Sequence, residues 1–156
     1  MSTYTEALSA AASFCSSSEH CLAEVIEKIK RFELPIEDRN KLILRLQDEG
    51  YLNENRYVKA FVKDKFRFAK WGRIKIRYAL RQKGISSSLA DEGLAEIPEE
   101  DYRELLIELL QQKKRSVKAS STYELKGKLL RFAAGRGFEL DLAGVCLRKI
   151  GLNDEE

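Results

Sequence analysis

Apolar residues recur along this chain at intervals of about fifty residues, and this recurrence limits the possible folds more than any other feature. Leu34, Ile85 and Phe138 are 51 and 53 residues apart. The positions nine and five residues before each of them, and nine and twelve residues after, are apolar in all three copies: Val25, Ile76, Leu129, Ile29, Leu80, Ala133, Ile43, Leu94, Leu147, Leu46, Ile97 and Ile150. Because only 44% of the chain is hydrophobic, this agreement indicates an internal repeat.

Inside each copy the apolar residues have helical spacing. Val25 and Ile29, like Ile76 and Leu80, are four residues apart, which places each pair on one helix face. No segment shows the apolar alternation of a strand. A unit of this size is small for an isolated core, so neighbouring units are expected to stack. The prediction is an all-α fold of three tandem three-helix units, 1–50, 51–98 and 99–156, stacked into an elongated, curved array.

Nine helices are predicted, at 3–14, 18–32, 36–49, 54–69, 72–83, 87–95, 99–118, 121–134 and 139–150. Serine followed by an acid three residues later predicts a cap at three of them, through the pairs Ser16 and Glu19, Ser88 and Asp91, and Ser121 and Glu124. Capping is favoured over nucleophilic catalysis for these serines, since no base stands near them in sequence. Pro35 and Pro98 fall at helix starts, where a missing N–H costs little.

Composition argues against several classes of protein. There is one histidine, His20, and a zinc site built on it with Cys15 and Cys21 would lack a fourth ligand. Three cysteines in all fit a reduced cytosol better than a disulfide scaffold. No apolar run is long enough to span a bilayer, and the first residues do not resemble a signal peptide. Nucleotide-binding glycine motifs are missing. The expectation is a cytoplasmic protein that is not an enzyme, with no catalytic residue, cofactor or metal.

The small net charge of +3 conceals two strongly basic blocks. Residues 56–83 hold eleven Lys and Arg against one acid, Asp64, and residues 111–136 hold eight against Glu124. The remaining segments are net acidic. Charges of one sign at this density repel one another. A partner that neutralises them is therefore favoured, as an explanation of these blocks, over a helix face that is merely solvated.

Basic residues of the middle block follow helical stripes, which makes them the candidates for partner contact. On the first helix they recur at offsets of three or four, and on the second an arginine recurs every four residues. The candidates are Arg56, Lys59, Lys63, Arg67, Lys70, Arg73, Lys75, Arg77, Arg81 and Lys83. Tyr57, Phe61 and Phe68 also have helical spacing, and a place in the core is favoured for them over a platform for stacking bases.

Other residues of this block are predicted to have structural roles. Asn53 is placed to cap the helix that follows it. Trp71 and Gly72 form a sharp turn, in which glycine permits a close or unusual backbone and the indole covers the core. Gly84 stands where a helix would end in a left-handed residue. Leu80 and the anchor Ile85 are expected in the core.

The middle block resembles the RecX family, the regulators of the RecA recombinase. The matching segments are GYLNENRYVKAFV, then a basic stretch, then WGRIKIRYALRQKGI, with RFAAGRGF later in the chain. The residues that match the family pattern are Asn53, Arg56, Tyr57, Ala60, Phe61, Gly72, Arg77, Leu80, Gly84 and Ile85. The first unit departs from the pattern by having Glu33 where the later copies have Gly84 and Gly137.

The resemblance implies a function as well as a fold. It implies a small cytosolic protein that binds RecA and its DNA-bound filament, and that restrains strand exchange and ATP turnover in DNA repair. The expected partners are the RecA filament and DNA, single- or double-stranded, touched through the filament or weakly and directly, with no membrane. The protein is expected to act as a monomer.

Two other functions remain open from the residues alone. One is a DNA-binding helix-turn-helix module, with 72–83 or 87–95 as the recognition helix. Lys and Arg dominate 72–83 and base-reading Asn and Gln are scarce, which disfavours it. The other is a helical adaptor for an acidic protein partner without a role on DNA.

Overall fold

The computed structural model describes residues 2–152, and within that range every regular element is helical. The α-helices are α1 Thr3–Ser17, α2 Leu22–Ile29, α3 Ile36–Asp48, α4 Glu54–Arg67, α5 Arg73–Gln82, α6 Ser87–Leu94, α7 Glu99–Ser116, α8 Thr122–Gly135 and α9 Leu140–Lys149. A 3₁₀ turn, Lys30–Phe32, extends α2. The predicted all-α class and the predicted order of helices are confirmed.

The helices pack in consecutive threes around three separate cores. Helices α1 to α3, α4 to α6 and α7 to α9 form the first, middle and third units. Two buried residues pack in the core of a neighbouring unit and not in the unit that was predicted to contain them. Cys21 packs with the middle unit, and Leu52 packs with the first. The last four residues of the predicted third unit, 153–156, lie outside the described range.

The recurring apolar positions build these cores. Twelve of the fifteen are buried, and the other three, Leu34, Ile97 and Ile150, are partly buried. The residue before each anchor has a left-handed backbone, with φ of 50° at Glu33, 79° at Gly84 and 92° at Gly137. All three copies therefore turn through a left-handed residue at this point, although the first copy makes the turn with glutamate, which favours this conformation less than glycine does.

Two of the three predicted serine caps are wrong. Ser121 caps α8 by accepting from the backbone N–H of Glu124 at 3.1 Å, as predicted. Ser86, rather than Ser88, caps α6. Ser16 lies inside α1 and donates to the carbonyl of Ala12 at 2.8 Å.

Helix α2 begins at Leu22, later than predicted, and side-chain carboxylates satisfy the backbone donors at its start. The carboxylate of Glu24 accepts from the N–H of Cys21 at 3.0 Å, and that of Glu54 accepts from the N–H of Leu22 at 2.9 Å. Both acids thereby satisfy donors that a helix start leaves unpaired. Asn53 caps α4 as predicted, since its Oδ1 accepts from the N–H of Arg56 at 3.0 Å.

The aromatic residues of α4 have different environments. Tyr57 is buried and Phe61 half-buried, both against the middle core. Phe68 is 78% exposed, so its predicted place in the core is wrong. It follows the last residue of α4, where the chain turns away from the bundle. Trp71 is half-buried against the middle core, with the Nζ atoms of Lys65 and Lys75 4.9 and 4.7 Å from its ring.

Gly72 and Gly137 bring the middle and third units into backbone contact. The N–H of Gly72 donates to the carbonyl of Arg136 at 2.7 Å, and that of Ile74 donates to the carbonyl of Gly137 at 3.0 Å. A Cβ at Gly72 would lie 2.3 Å from the Gly137 carbonyl oxygen, and one at Gly137 would lie 2.3 Å from the Cβ of Lys75. Gly72 has an ordinary φ of −80°, so close approach, rather than unusual backbone, requires glycine there.

This contact predicts a large effect for one methyl group. Gly72→Ala should lower the free energy of unfolding by about 2 kcal/mol or more, because the added carbon meets backbone atoms that cannot rotate away. The matched control is Gly135→Ala, where an added Cβ meets nothing within 4 Å at a helical backbone. That change should leave stability equal or raise it by about 0.5 kcal/mol. Urea titration followed by circular dichroism measures both, and equal effects would contradict the packing argument.

Candidate functional site

The ten basic residues predicted to contact a partner fall into two classes. Five of them form ion pairs inside the chain: Arg56 with Glu19, Lys59 with Glu96, Arg73 with Glu99 and Glu139, Arg77 with Asp91, and Lys83 with Glu24. Internal partners account for the charge of these five. The other five are therefore the stronger candidates for contact with a partner.

Arg56 and Lys83 join the middle unit to the first. Arg56 pairs with Glu19 and also donates to the carbonyls of Gly50 and Tyr51, at 2.9 and 3.2 Å. Lys83 reaches Glu24 at 3.3 Å. Burial acts to raise the pKa of Glu24, but hydrogen bonds from the Cys21 backbone, Lys83 and His20 outweigh it and hold the pKa below its usual value. Each cation thus sits at a joint between two units.

Arg73 joins the middle unit to the third. Its side chain is 21% exposed and reaches the carboxylates of both Glu139, at 2.8 Å, and Glu99. Its guanidinium carbon lies 3.7 Å from the ring centroid of Tyr102. The backbone N–H of Arg73 donates to the Tyr102 hydroxyl at 2.9 Å, and that hydroxyl donates to Glu139. A guanidinium bound to two carboxylates and stacked on a ring is held more firmly than a surface ion pair.

The titration of this cluster follows from its burial and hydrogen bonds. Burial acts to raise the pKa of Glu139, but hydrogen bonds from Tyr102 and Arg73 outweigh it, so the pKa lies below its usual value. Burial, followed by the neighbouring Glu139, raises the pKa of Tyr102 above its usual value. At neutral pH the hydroxyl is therefore a proton donor and the carboxylate an acceptor.

The other two ion pairs lie within the middle unit and on its surface. Arg77 meets Asp91 at 3.0 Å, and Lys59 meets Glu96 at 3.6 Å. All four side chains are 40% exposed or more, and pairs of this kind contribute little to stability because water and salt screen them. A more acidic partner could replace these carboxylates at small cost.

Five candidates have no ion pair with a carboxylate of residues 2–152, and we call them the free cation set: Lys63, Arg67, Lys70, Lys75 and Arg81. Lys63, Arg67 and Arg81 are exposed. Lys70 is half-buried with a left-handed backbone, φ 58°, and Lys75 is half-buried with its ammonium over Trp71. This set is the part of the middle basic block that remains for an external anion.

An exposed apolar strip accompanies the free cation set and was missed by the sequence prediction. Ile74 is 50% exposed and Tyr78 64% exposed, and with Arg81 they share one face of α5, at offsets of four and three. We call these three residues the outer face of α5. The sequence contained a signal for this strip. Ile74 and Tyr78 each lie two residues before a buried repeat position, Ile76 or Leu80, and residues two apart lie on different faces of a helix.

The three cysteines and the single histidine, the residue types weighed as metal ligands, have structural environments. Cys15, Cys21 and Cys146 are buried free thiols, and burial raises the pKa of each. His20 stacks on Phe14 with ring centroids 3.6 Å apart and contacts Ser18 and Glu24 through its two ring nitrogens. Among residues 2–152, no group of three or more His, Cys, Asp or Glu could hold a metal ion. None of the described helices is long and apolar enough to cross a bilayer.

Two family models match the part of the chain that holds this geometry. The second three-helix domain of RecX matches residues 53–94, and the third three-helix domain of RecX matches residues 99–144. Together they cover more than half of the sequence. The chain belongs to the RecX family. The resemblance found from the sequence segments is thereby confirmed, and the matched ranges contain both the middle basic block and the joint at Arg73.

Curated relatives extend the similarity over the first unit. The chain is 30% identical over 129 residues to a protein of Clostridium beijerinckii named regulatory protein RecX, covering 81% of this chain and 60% of the relative. It is 25% identical over 152 residues to a protein of the same name from Lactobacillus gasseri, covering 97% and 56%. This RecX-family chain thus spans just over half the length of those relatives. Both relatives are named as regulatory proteins.

Solved structures support the fold. The crystal structure of RecX from Lactobacillus salivarius superimposes with a TM-score of 0.87 at 18% identity, covering 97% of this chain and 98% of that one. A second crystal structure, described as regulatory protein RecX, gives a TM-score of 0.84 at 20% identity, covering 94% and 73%. Similarity at this level of identity concerns the arrangement of helices alone.

The Arg73 joint predicts a stability that depends on acid. The pKa of Glu139 is lower in the folded state than in the unfolded state, where it is about 4.3. The ionised carboxylate therefore stabilises the fold at a pH above the unfolded-state pKa. This stability is lost as the pH falls through the lowered folded-state pKa. Glu139→Gln should cost about 2 kcal/mol at pH 7 and flatten that part of the acid profile.

The matched control is Glu100→Gln, an exposed acid of α7 with no polar partner among the described residues. The free energy of unfolding of the Glu100→Gln variant should stay within about 0.5 kcal/mol of the wild-type value from pH 7 to 3. Denaturant titrations repeated across that range give both profiles. If Glu139→Gln keeps the wild-type slope with pH, the joint does not supply the acid-sensitive stability.

Proposed function

We propose that this chain is a non-catalytic regulator that binds the RecA–DNA filament and restrains strand exchange and ATP turnover. It would act as a monomer in the bacterial cytosol, where its buried free thiols suit a reducing environment. The observation that supports the proposal most is the exposed strip of Ile74 and Tyr78 on the outer face of α5, next to Arg81, which has no ion pair with a described carboxylate.

An apolar strip and an unpaired cation on one helix face suit a protein partner. Exposed apolar patches mark interaction sites, since removing them from water favours association. Ile74 and Tyr78 together provide an aliphatic and an aromatic side chain whose exposed area a partner could bury. Arg81 adds a cation that can pair with a carboxylate or a phosphate. A purely electrostatic DNA contact would leave the apolar side chains without a role.

Two of the remaining free cations lie elsewhere on the middle unit and would meet a polyanion there. Lys63 and Arg67 are one turn apart on α4 and line a cleft of about 270 Å³ that also contains Asp101 and Glu96. A filament with enclosed DNA presents both acidic protein surface and phosphate, so it could engage the two kinds of feature together. Binding of this kind weakens as salt rises, because each phosphate contact releases counterions.

The proposed mechanism is steric and electrostatic. The chain would lie against several protomers if its consecutive three-helix units follow the filament axis, as expected for a stacked array. Bound in this way, it would block filament growth or the protomer motion that couples ATP turnover to strand exchange. No chemical step on the part of this chain is required.

The first test is an assay of ATP hydrolysis and strand exchange with the cognate recombinase. Both rates should fall as this protein is added, and the effect should weaken between 0.05 and 0.2 M salt, a range of roughly four-fold. Unchanged rates at a several-fold molar excess would overturn the proposal. Sequence-selective retention of duplex DNA without recombinase would instead favour the helix-turn-helix alternative.

A double variant tests the outer face of α5 by itself. Tyr78→Ala combined with Arg81→Glu should weaken inhibition by roughly ten-fold or more, because it removes an exposed aromatic contact and reverses a cation that has no ion pair among residues 2–152. The fold should be retained, since both side chains are exposed. Inhibition curves of recombinase ATP hydrolysis, with circular dichroism of each variant, measure the two effects.

The chain offers a matched control on the first unit. Leu44→Ala combined with Lys41→Glu changes an exposed apolar residue and an exposed lysine at the same spacing on α3. This control should inhibit as the wild type does. Equal losses from the two double variants would mean that the outer face of α5 is not the contact surface. Capture of an acidic protein after nuclease treatment and without recombinase would favour the adaptor alternative.

A further inference from the structure

The two joints between units are held by different kinds of contact. Backbone hydrogen bonds cross from the middle to the third unit at Gly72 and Ile74, and the partly buried side chains of Phe66 and Ile97 pack against both of those cores. Among residues 2–152, no backbone–backbone hydrogen bond joins the first unit to the middle one, and no partly buried apolar side chain packs against both of their cores. The joint between these two units, which we call the first joint, therefore depends on polar side chains.

Two ion pairs cross the first joint where solvent reaches them. Glu19 pairs with Arg56, and Glu24 pairs with Lys83 at 3.3 Å. The side chains of the two cations are 43% and 44% exposed, so dissolved ions can screen or replace their carboxylate partners. Both carboxylates belong to the first 55 residues, which hold ten acids against six Lys and Arg. The net acidic first unit thus neutralises two cations of the middle basic block.

The apolar part of the first joint is small. Cys21 is the one described residue of the first unit that packs in the middle core, where it is fully buried. Leu52 packs in the first core, and α4 begins two residues later at Glu54. A hinge between Leu52 and Glu54 would let the first unit turn outward with its own core intact. That movement would withdraw one small side chain, Cys21, from the middle core.

We propose that the first unit is hinged, and that it turns away from the middle unit when a phosphate anion competes for Arg56 and Lys83, while the middle and third units stay together. In the closed form, Glu19 and Glu24 take the place of that anion. Opening frees two further cations of the middle unit and changes the shape of the chain. The proposal does not rest on the filament function, because the contacts that carry it lie within one chain.

The exposed ion pairs favour a phosphate over a carboxylate as the competing group. An acidic protein segment would offer carboxylates in exchange for the carboxylates of Glu19 and Glu24, so the exchange would gain little. A phosphate carries more negative charge than a carboxylate and has three acceptor oxygens. It therefore binds a guanidinium or an ammonium more strongly.

The three cysteines report the state of each unit. Cys15 lies in the first core, Cys21 in the middle core and Cys146 in the third, and all three are buried free thiols. The proposed movement exposes Cys21 alone, because the cores around the other two thiols stay intact. Unfolding of the whole chain exposes all three. The rate at which N-ethylmaleimide alkylates each thiol, resolved by peptide mass spectrometry, separates the two events.

Removing the carboxylates of the first joint should expose Cys21. Glu19→Gln combined with Glu24→Gln should raise the alkylation rate of Cys21 by roughly ten-fold, because it removes two charged hydrogen-bonded contacts while keeping the shape of both side chains. The rates of Cys15 and Cys146 should stay at their wild-type values.

The matched control changes the same charge on the first unit outside the joint. Glu27→Gln combined with Glu37→Gln alters one exposed acid on α2 and one on α3, and neither has an ion pair among the described residues. This variant should leave the alkylation rate of Cys21 unchanged. An equal rise in both double variants would mean that overall charge, and not the first joint, controls exposure of the thiol.

Lys83→Gln tests the first joint from its other side. It should also accelerate the alkylation of Cys21, although it changes no residue of the first unit and so leaves the start of α2 intact. The amide protons of Gly72 and Ile74, which bond to the third unit, should exchange with solvent at wild-type rates in this variant. Faster exchange of those amides would mean that the middle unit or the other joint had opened instead.

Sodium tripolyphosphate serves as the competing anion. At equal ionic strength it should raise the alkylation rate of Cys21 by roughly three-fold or more over sodium chloride, because it binds the two cations and does not merely screen them. The effect should disappear in Lys83→Gln combined with Arg56→Gln, which has no cations at the joint for the anion to bind. Equal rates in the two salts, or an equal effect of polyglutamate, would overturn the competition by phosphate.

Two further outcomes would overturn the hinge itself. One is a wild-type alkylation rate of Cys21 both in Lys83→Gln and in the double variant of Glu19 and Glu24. The other is an equal acceleration of all three thiols in those variants, which would show that the chain unfolds as a whole. Because recombinase is absent from these measurements, either failure leaves the filament proposal standing.

Discussion

The close approach of the backbones at Gly72 and Gly137 determines how the middle and third units meet. With two glycines in contact, the start of α5 reaches the turn after α8, and backbone hydrogen bonds cross between units at 2.7 and 3.0 Å. Arg73, the next residue, is thereby placed within reach of Glu99 and Glu139, and over the ring of Tyr102. The ion pairs of this joint thus depend on a contact between glycines. It also links two segments that the sequence shows far apart, WGR and GRGF.

The joints explain part of the uneven charge distribution. Acidic segments flank the middle basic block in sequence, and in three dimensions they provide its ion-pair partners: Glu19 and Glu24 come from the first unit, and Glu99 and Glu139 from the third. Charges of opposite sign in neighbouring units favour their association in the right order, since each pair is a hydrogen-bonded contact that another arrangement would lose. Part of the basic block therefore serves the fold. The free cation set is what remains of the ten candidates once the ion pairs among residues 2–152 are counted.

Much of the fold could be predicted because it depends on local periodicity. The apolar repeat identified the helices and the core, and twelve of its fifteen positions are buried. The contacts between units could not be predicted, since Arg73 and Tyr102 are 29 residues apart and nothing in their spacing shows that they meet. For the same reason the ten basic candidates looked equivalent on a helical stripe, although five of them have internal partners. Phe68 was assigned to the core from its spacing with Tyr57 and Phe61, but α4 ends before it.

Charge alone would make the two basic blocks equivalent, and their neighbouring side chains distinguish them. Around the outer face of α5, the cation stands beside Ile74 and Tyr78 on a continuous helix face, which is a surface that another surface can cover. On α8, the exposed residue Tyr123 lies one helical turn before Gly127, and the guanidinium of Arg131 leans over that glycine. A protein partner gains free energy by covering exposed apolar area. The apolar side chains beside each set of cations, more than the number of cations, therefore distinguish the surfaces of the two basic blocks.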